Sequence, residues 1–155
     1  MMTNMMLSTN RREQHRIVLD IGGEGRHPEA WNLNSSHVKT IGQDRGMPIP
    51  HHIPGRADNI PLSDGSVDRI FVERTPLSVA ALEEIARVIA PNGNIILRHV
   101  RPPTGDPHAL AIRILPGRSN QHIIRLDDQL VQETDFRLTD RNESLGRMYA
   151  PNYFR

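Results

Sequence analysis

The sequence predicts a single α/β domain built on a mostly parallel β-sheet that ends in an antiparallel strand. Its 155 residues suffice for one domain and are few for two. The aliphatic runs at residues 17–21 and 69–72 lack polar alternation, which is typical of strands buried on both faces. After the second run come a strong helix pattern and a third aliphatic run, and this strand–helix–strand order requires parallel strands.

Composition excludes several classes of protein. Nineteen basic residues against 18 acidic ones give a net charge of +1, which argues against a dedicated nucleic-acid binder. The chain has no cysteine, so disulfides, thiolate nucleophiles and iron–sulfur clusters are excluded. Lys39 is the single lysine and follows no glycine-rich loop, which excludes a P-loop.

The amino-terminal residues predict neither a leader nor a membrane anchor. Residues 1–16 mix methionine with polar residues and lack the apolar run of a secretory signal. No stretch approaches the roughly 20 apolar residues of a membrane span. We therefore expect an N-terminal arm over residues 1–16, a folded domain over residues 17–155 and a cytoplasmic location without membrane contact.

The first half of the chain predicts short strands and long turns. Residues 17–21 form the first strand, and the glycines that follow make a tight turn. Pro28 suits the first turn of a helix that begins at His27. Residues 38–42 read as the second strand, closed by Asp44. Three prolines make residues 47–55 a loop, and residues 57–60 read as a brief strand.

The second half contains the clearest helix. It begins at Thr75–Pro76, carries apolar residues at three- and four-residue steps and ends at the turn 91–93. A strand over residues 94–98 follows directly. Beyond Val100 the pattern weakens, and three interpretations remain. We expect a strand or helix over residues 109–115, a short helix over 127–134, and an antiparallel pair from 136–139 and 147–153.

Three segments, in this order, carry a family resemblance over about residues 17–100. They are residues 18–22 (V-L-D-I-G), 57–68 (A-D-N-I-P-L-S-D-G-S-V-D) and 83–93 (E-E-I-A-R-V-I-A-P-N-G). They resemble the first strand with its glycine motif, the turn before the fourth strand, and the helix end of class I S-adenosylmethionine-dependent methyltransferases of the small-molecule branch. The resemblance implies a Rossmann-like, mostly parallel sheet of the class I methyltransferase type, truncated to a single domain.

The resemblance also implies a cofactor, S-adenosylmethionine, and the residues that hold it. Asp20 with Gly22 would form the close backbone turn at the first strand. Asp44 lies 24 positions after Asp20 (44 − 20), near the spacing of about 20 for an acid that binds ribose hydroxyls in the dinucleotide-binding analogue. Asp58, with the backbone of Asn59, would hold the adenine amine.

The chain departs from the family pattern at two places. The family motif is D-x-G-x-G-x-G, but Glu24 and Arg26 occupy its later glycine positions, while Gly23 and Gly25 lie one residue out of phase. We expect Gly23 or Gly25 to supply the close approach, with Glu24 directed away from the cofactor carboxylate. The helix between the second and third strands is replaced by the proline loop. The uncovered sheet predicts a homodimer.

Candidate catalytic residues follow the ends of predicted strands. Glu73 and Arg74 follow one strand, and His99 ends the next, where parallel sheets place their chemistry. His99 would be a general base only if the acceptor must lose a proton, and a packed histidine is the alternative. Adjacent histidines, His51 and His52, diverge in an extended loop, so no metal site is predicted.

Two functions remain open at this stage. The first is methyl transfer from S-adenosylmethionine to a small-molecule or carrier-bound acceptor. The second is a methyltransferase-like module that binds a partner and catalyses nothing, which the altered glycine motif and the small size favour. A dinucleotide site is disfavoured because Pro28 occupies the last glycine position of G-x-G-x-x-G.

Overall fold

The computed structural model describes residues 16–138 and contains one seven-stranded sheet with the strand order β3-β2-β1-β4-β5-β7-β6. Neighbouring strands from β3 to β5 are parallel, and β7 runs antiparallel between β5 and β6. The predicted mostly parallel sheet with an antiparallel final strand is confirmed. The strands are β1 (Val18–Ile21), β2 (Trp31–Asn34), β3 (His52–Pro54), β4 (Val67–Glu73), β5 (Ile89–Val100), β6 (Arg118–Leu126) and β7 (Gln129–Arg137).

One face of the sheet packs against both described helices, α1 (Val79–Val88) and α2 (Ala109–Ile114). The hydroxyl of Ser78 caps α1 by accepting a hydrogen bond from the Ala81 amide at 3.1 Å, so the helix begins three residues after the predicted proline. Its buried stripe meets aliphatic side chains of the central strands. This core includes Leu19, Ile21, Ile70, Val72, Leu82, Ile85, Val88, Ile95 and Leu97.

The opposite face carries no helix among residues 16–138. Its apolar part is a small cluster of Val18, Ala30 and Phe71. The rest of this face is polar, because alternate residues of β4, β5 and β7 place charged side chains there, such as Arg98 and Glu133. We call this surface the open face. No described helix is long and apolar enough to cross a membrane.

The predicted second strand is wrong. Residues 38–42 form no strand; Val38 makes a single bridge to Pro48, and Lys39 exchanges backbone hydrogen bonds with the loop that follows. The second strand is instead β2, in the place where a helix beginning at His27 was predicted. Asn32 explains the error, because its polar side chain interrupts the apolar pattern expected of a buried strand. The side chain is buried all the same, and its amide donates a hydrogen bond to the Pro50 carbonyl at 2.8 Å.

Three further predictions are corrected. The proline-rich loop contains β3, which is tolerated because proline fits an edge strand. Residues 57–60 form a turn closed by a bridge between Arg56 and Asn59. Residues 127–134 are not helical: Asp127 and Asp128, with φ of 48° and 62°, make the hairpin turn between β6 and β7.

The remaining predictions have mixed outcomes. Residues 109–115 form the short helix α2, one of the two alternatives. The strand at 94–98 lies inside the longer β5, which also takes in the predicted turn at 91–93. The missing helix between β2 and β3 is confirmed. The N-terminal arm and the strand at 147–153 lie outside the described residues, apart from Arg16 at the edge of the arm.

Candidate functional site

A cleft of about 290 Å³ lies at the carboxyl end of β1. In open α/β sheets ligands bind outside the carboxyl ends of the strands, where the strand order reverses, and β1 is that strand because β2 lies on one side of it and β4 on the other. We call this space the β1 cleft. Its lining residues are Gly22, Glu24, Gly25, Arg26, Lys39, Ile41, Gly42, Gln43 and Asp44.

The glycine turn has the backbone that the altered motif requires. Gly22 and Gly25 have φ of 75° and 120°, a region that side chains disfavour. A Cβ on Gly25 would lie 2.9 Å from Pro50, and one on Gly22 would overlap the Thr75 hydroxyl. Gly23 does not line the cleft, and a Cβ there would meet the carboxylate of Asp20. The turn therefore packs against the protein on one side and opens to the cleft on the other.

The loop at residues 39–44 holds Glu24 away from the centre of the glycine turn. Its carboxylate accepts a hydrogen bond from the Thr40 amide at 3.0 Å and another from the Thr40 hydroxyl. Partial burial would raise the pKa of Glu24, but the hydrogen bonds from Thr40 outweigh it and lower the pKa. This ionised carboxylate fastens residues 39–44 to the glycine turn, and so it builds one wall of the β1 cleft.

Asp20 does not line the β1 cleft. Its side chain is 0% exposed, and Arg26 donates two hydrogen bonds to it, Nε to Oδ2 at 2.9 Å and a terminal nitrogen to Oδ1 at 2.8 Å. Burial raises the pKa of Asp20, while the paired guanidinium opposes that shift. The acid predicted beside the cofactor thus anchors the turn through Arg26, whose side chain is 31% exposed at the cleft.

Glu73 extends this pairing across the open face. It accepts from His27 Nε2 and from Arg98 at 2.8 Å each, and Arg26 lies 3.4 Å away. Burial would raise the pKa of Glu73, but the hydrogen bond from His27 and the neighbouring guanidiniums lower it. Arg98 continues to Glu133 at 2.7 Å. Glu73 is therefore ionised and fully paired, which leaves it no proton to give.

The other two catalytic candidates are also engaged. Arg74 has a φ of 60° and lies 3.2 Å from Asp127, exposed to solvent. His99 Nε2 donates to the Thr75 carbonyl at 2.7 Å, because a carbonyl can only accept. His99 Nδ1 must then accept from His108 Nε2 at 2.8 Å. Burial lowers the pKa of His99, so the packed, neutral histidine is the favoured interpretation.

The predicted acids separate into two places. Asp44 lines the β1 cleft, 72% exposed, with Lys39 Nζ at 3.7 Å. Asp58 and Asn59 do not line it; they lie in the turn beyond β3, where Asp58 pairs with Arg56 at 3.3 Å. Ile41 and Gln43 also line the β1 cleft, and nothing in their local sequence pattern predicts this position.

Comparisons with known proteins agree on the fold. No protein-family model and no curated protein matches the chain. Among solved structures, the 16S rRNA (adenine(1408)-N(1))-methyltransferase of Catenulisporales acidiphilia superposes with a TM-score of 0.53 and 14% identity over 81% of this chain and 85% of that one. A SAM-dependent methyltransferase from Aquifex aeolicus gives 0.51 and 15% over 78% and 81%.

The order of the strands and these neighbours define the fold. The chain has the class I methyltransferase fold, as a single domain with few helices. Identity at this level shows the fold alone, and the site must be argued from its own residues.

Proposed function

We propose that the protein binds S-adenosylmethionine in the β1 cleft and transfers its methyl group to a small-molecule or carrier-bound acceptor. The observation that carries the proposal is the position of the cleft. It lies at the strand where the order reverses, between a glycine turn with positive φ and a loop that bears an exposed carboxylate, Asp44.

The side chains of the cleft suit the parts of this cofactor. A carboxylate can accept from two hydroxyls at once, so Asp44 would hold the ribose diol. The guanidinium of Arg26 borders the turn and would attract the methionine carboxylate, while Ile41 offers an apolar surface to adenine. The volume of about 290 Å³ lies at the lower end for a small-molecule site.

The protein would act by alignment. The bound cofactor supplies a methyl group already activated by its sulfonium. Gly22 and Gly25 allow the turn its positive φ and its close packing against the protein, and the opposite side of the turn borders the cleft, where the cofactor would lie. Glu24 fixes the second wall through Thr40, which limits the motion of the site. The paired states of Glu73 and His99 favour an acceptor that needs no general base in the protein.

The proposal predicts a loss of cofactor affinity in Asp44→Ala. Removing a charged acceptor of two hydrogen bonds should weaken S-adenosylmethionine or its demethylated product by about 1.5–3 kcal/mol. Isothermal titration calorimetry measures it, with Glu29→Ala as control because Glu29 is an exposed acid outside the cleft. Equal affinities of the wild type and a folded Asp44→Ala variant would remove Asp44 from the site.

The acceptor class is tested separately. The balanced charge of +1 supports a small molecule over nucleic acid. Cofactor labelled in its methyl group would be incubated with the protein and with low-mass and macromolecular fractions of a cell extract. Label transferred into the low-mass fraction, or onto a small group that hydrolysis releases from a carrier protein, supports the proposal. Label confined to RNA or to the side chains of proteins contradicts it.

A second candidate function is a methyltransferase-like module that catalyses nothing. The observation that favours it is the engagement of every predicted catalytic side chain: Glu73 and Arg74 in ion pairs, and His99 at both ring nitrogens. Cofactor binding without label transfer to any fraction would favour this module.

We also propose a homodimer. Apolar side chains of the loop that borders the β1 cleft remain exposed, Ile41 at 66% and Met47 at 57%. A second copy would bury them and complete the wall of a small cleft. Light scattering at micromolar concentration should therefore report about twice the 17.6 kDa chain mass. A 17.6 kDa species would contradict the proposal.

A further inference from the structure

A second cleft, of about 360 Å³, lies at the opposite end of the sheet from the β1 cleft. It lies beside the amino-terminal part of β4, the residues of β5 that pair with that part, and the residues of β7 that pair in turn with β5. We call it the arginine cleft. It is lined by Arg16, Asp68, Arg69, Asn92, Gly93, Asn94, Arg137 and Leu138.

Strand register brings the cations together. Arg69 of β4 pairs with Asn94 of β5, and Asn94 pairs with Arg137 of β7. Registered neighbours point to the same face of a sheet, so these side chains form one row across the open face. Arg69 and Arg137 therefore lie on either side of Asn94 at this end of the sheet.

The acids near the row leave part of this charge uncompensated. Within the lining, three arginines face one aspartate, a formal balance of +2. Asp68 is engaged, since its carboxylate accepts from the Ile17 amide at 2.8 Å. Asp135 approaches Arg137 Nε at only 3.4 Å and also accepts from Asn94. The cleft is therefore electropositive.

Two of the guanidiniums have unused donors. Among residues 16–138, neither Arg16 nor Arg69 makes a side-chain hydrogen bond or an ion pair. Within that part of the chain, Arg69 Nε is also buried without a hydrogen-bond partner. A buried donor without an acceptor costs about 1–3 kcal/mol, so such a group calls for a partner from outside the described chain.

We infer that the arginine cleft binds the phosphate group of a small phosphorylated ligand. A guanidinium donates to phosphate oxygens through its planar fork, and a balance of +2 matches a phosphate dianion. The amides of Asn92 and Asn94 border the same space and can donate to the remaining oxygens. The volume admits more than the phosphate itself. Because the two clefts lie at opposite ends of the sheet, this site is independent of the cofactor proposal.

Calorimetry at low ionic strength tests the site with inorganic phosphate, uridine 5′-monophosphate and uridine. Both phosphates should bind saturably and uridine should not. If inorganic phosphate binds and uridine 5′-monophosphate does not, the ligand is the free anion. If the monophosphate binds more tightly than inorganic phosphate, the ligand is a phosphorylated metabolite. Arg69→Met should weaken binding roughly tenfold to a hundredfold, the range for hydrogen bonds to a charged group. Arg137→Gln, at an exposed side chain, should weaken it severalfold even if Arg69→Met folds poorly.

The matched control is Arg101→Met, because Arg101 is an exposed arginine at the other end of β5 and outside the cleft. It should bind like the wild type, as should Asp44→Ala. The inference is overturned if neither phosphate binds, if uridine binds equally well, or if Arg101→Met weakens binding as much as Arg137→Gln does.

Discussion

Replacing Arg26 by methionine is expected to lower the free energy of unfolding by about 3–5 kcal/mol, the cost of leaving one charge of a buried pair alone. Asp20 is fully buried and accepts two hydrogen bonds from Arg26, so the variant would leave a buried carboxylate without its charged partner. Glu73 would lose a nearby cation as well. Urea denaturation followed by circular dichroism measures the change.

Arg56→Met is the matched control. Arg56 pairs with Asp58 at 3.3 Å, but the two side chains are 74% and 43% exposed, so the loss should be about 0–1 kcal/mol. The double variant Asp20→Asn/Arg26→Met should recover part of the lost stability, because a neutral amide costs less to bury than a carboxylate. If Arg26→Met and Arg56→Met are equally stable, the Asp20–Arg26 pair does not hold the glycine turn.

His108→Gln is expected to remove a pH dependence of stability between about pH 4 and 6.5. Burial lowers the pKa of His108 to about 4, with the nearby His99 adding to the shift and Asp106 opposing it. The unfolded chain binds this proton more readily than the folded one, so in that window stability rises with pH. The shift corresponds to about 3 kcal/mol, lost progressively as the pH falls.

The variant keeps one of the two hydrogen bonds of His108 and removes its titration. The glutamine amide can still donate to His99 Nδ1, the partner of His108 at 2.8 Å. Thr134 donates to the other imidazole nitrogen at 2.7 Å and loses its acceptor, which lowers stability without a pH slope. Thermal denaturation from pH 4 to 7 should show a flatter profile than that of wild type. The exposed His37→Gln should keep the wild-type slope, and an unchanged slope in His108→Gln would contradict the assignment.

The central part of the fold could be predicted because its hydrophobic pattern and its helix-capping residue indicate the same structure. β1, β4 and β5 each contain a run of apolar residues, and α1 has an apolar stripe between a capping serine and the next strand. β2 and β3 could not be predicted in the same way. A buried asparagine in β2 and a proline in β3 contradict strand patterns, and both strands depend on hydrogen bonds to residues distant in the sequence.

Three residues that the sequence predicts for the candidate site, Gly22, Gly25 and Asp44, line the β1 cleft. The reason for this differs between the two glycines and Asp44. Gly22 and Gly25 have the backbone that a tight turn demands. Asp44 reaches the β1 cleft from a loop and not from the end of a strand. The hydrogen-bond partners of the site residues could not be predicted from sequence patterns. Asp20 and Arg26, for example, form their hydrogen bonds because the turn between them folds back.

The most direct test of the central claim is a two-dimensional NMR titration of the isotopically labelled protein with S-adenosylmethionine. The claim is that the β1 cleft of this class I methyltransferase fold holds that cofactor. We predict saturable shifts of the amide signals of Gly22, Gly25, Gln43 and Asp44, with those of Asn92 and Gly93 at the opposite end of the sheet unmoved. An absence of shifts at millimolar cofactor, or shifts confined to that opposite end, would contradict the account.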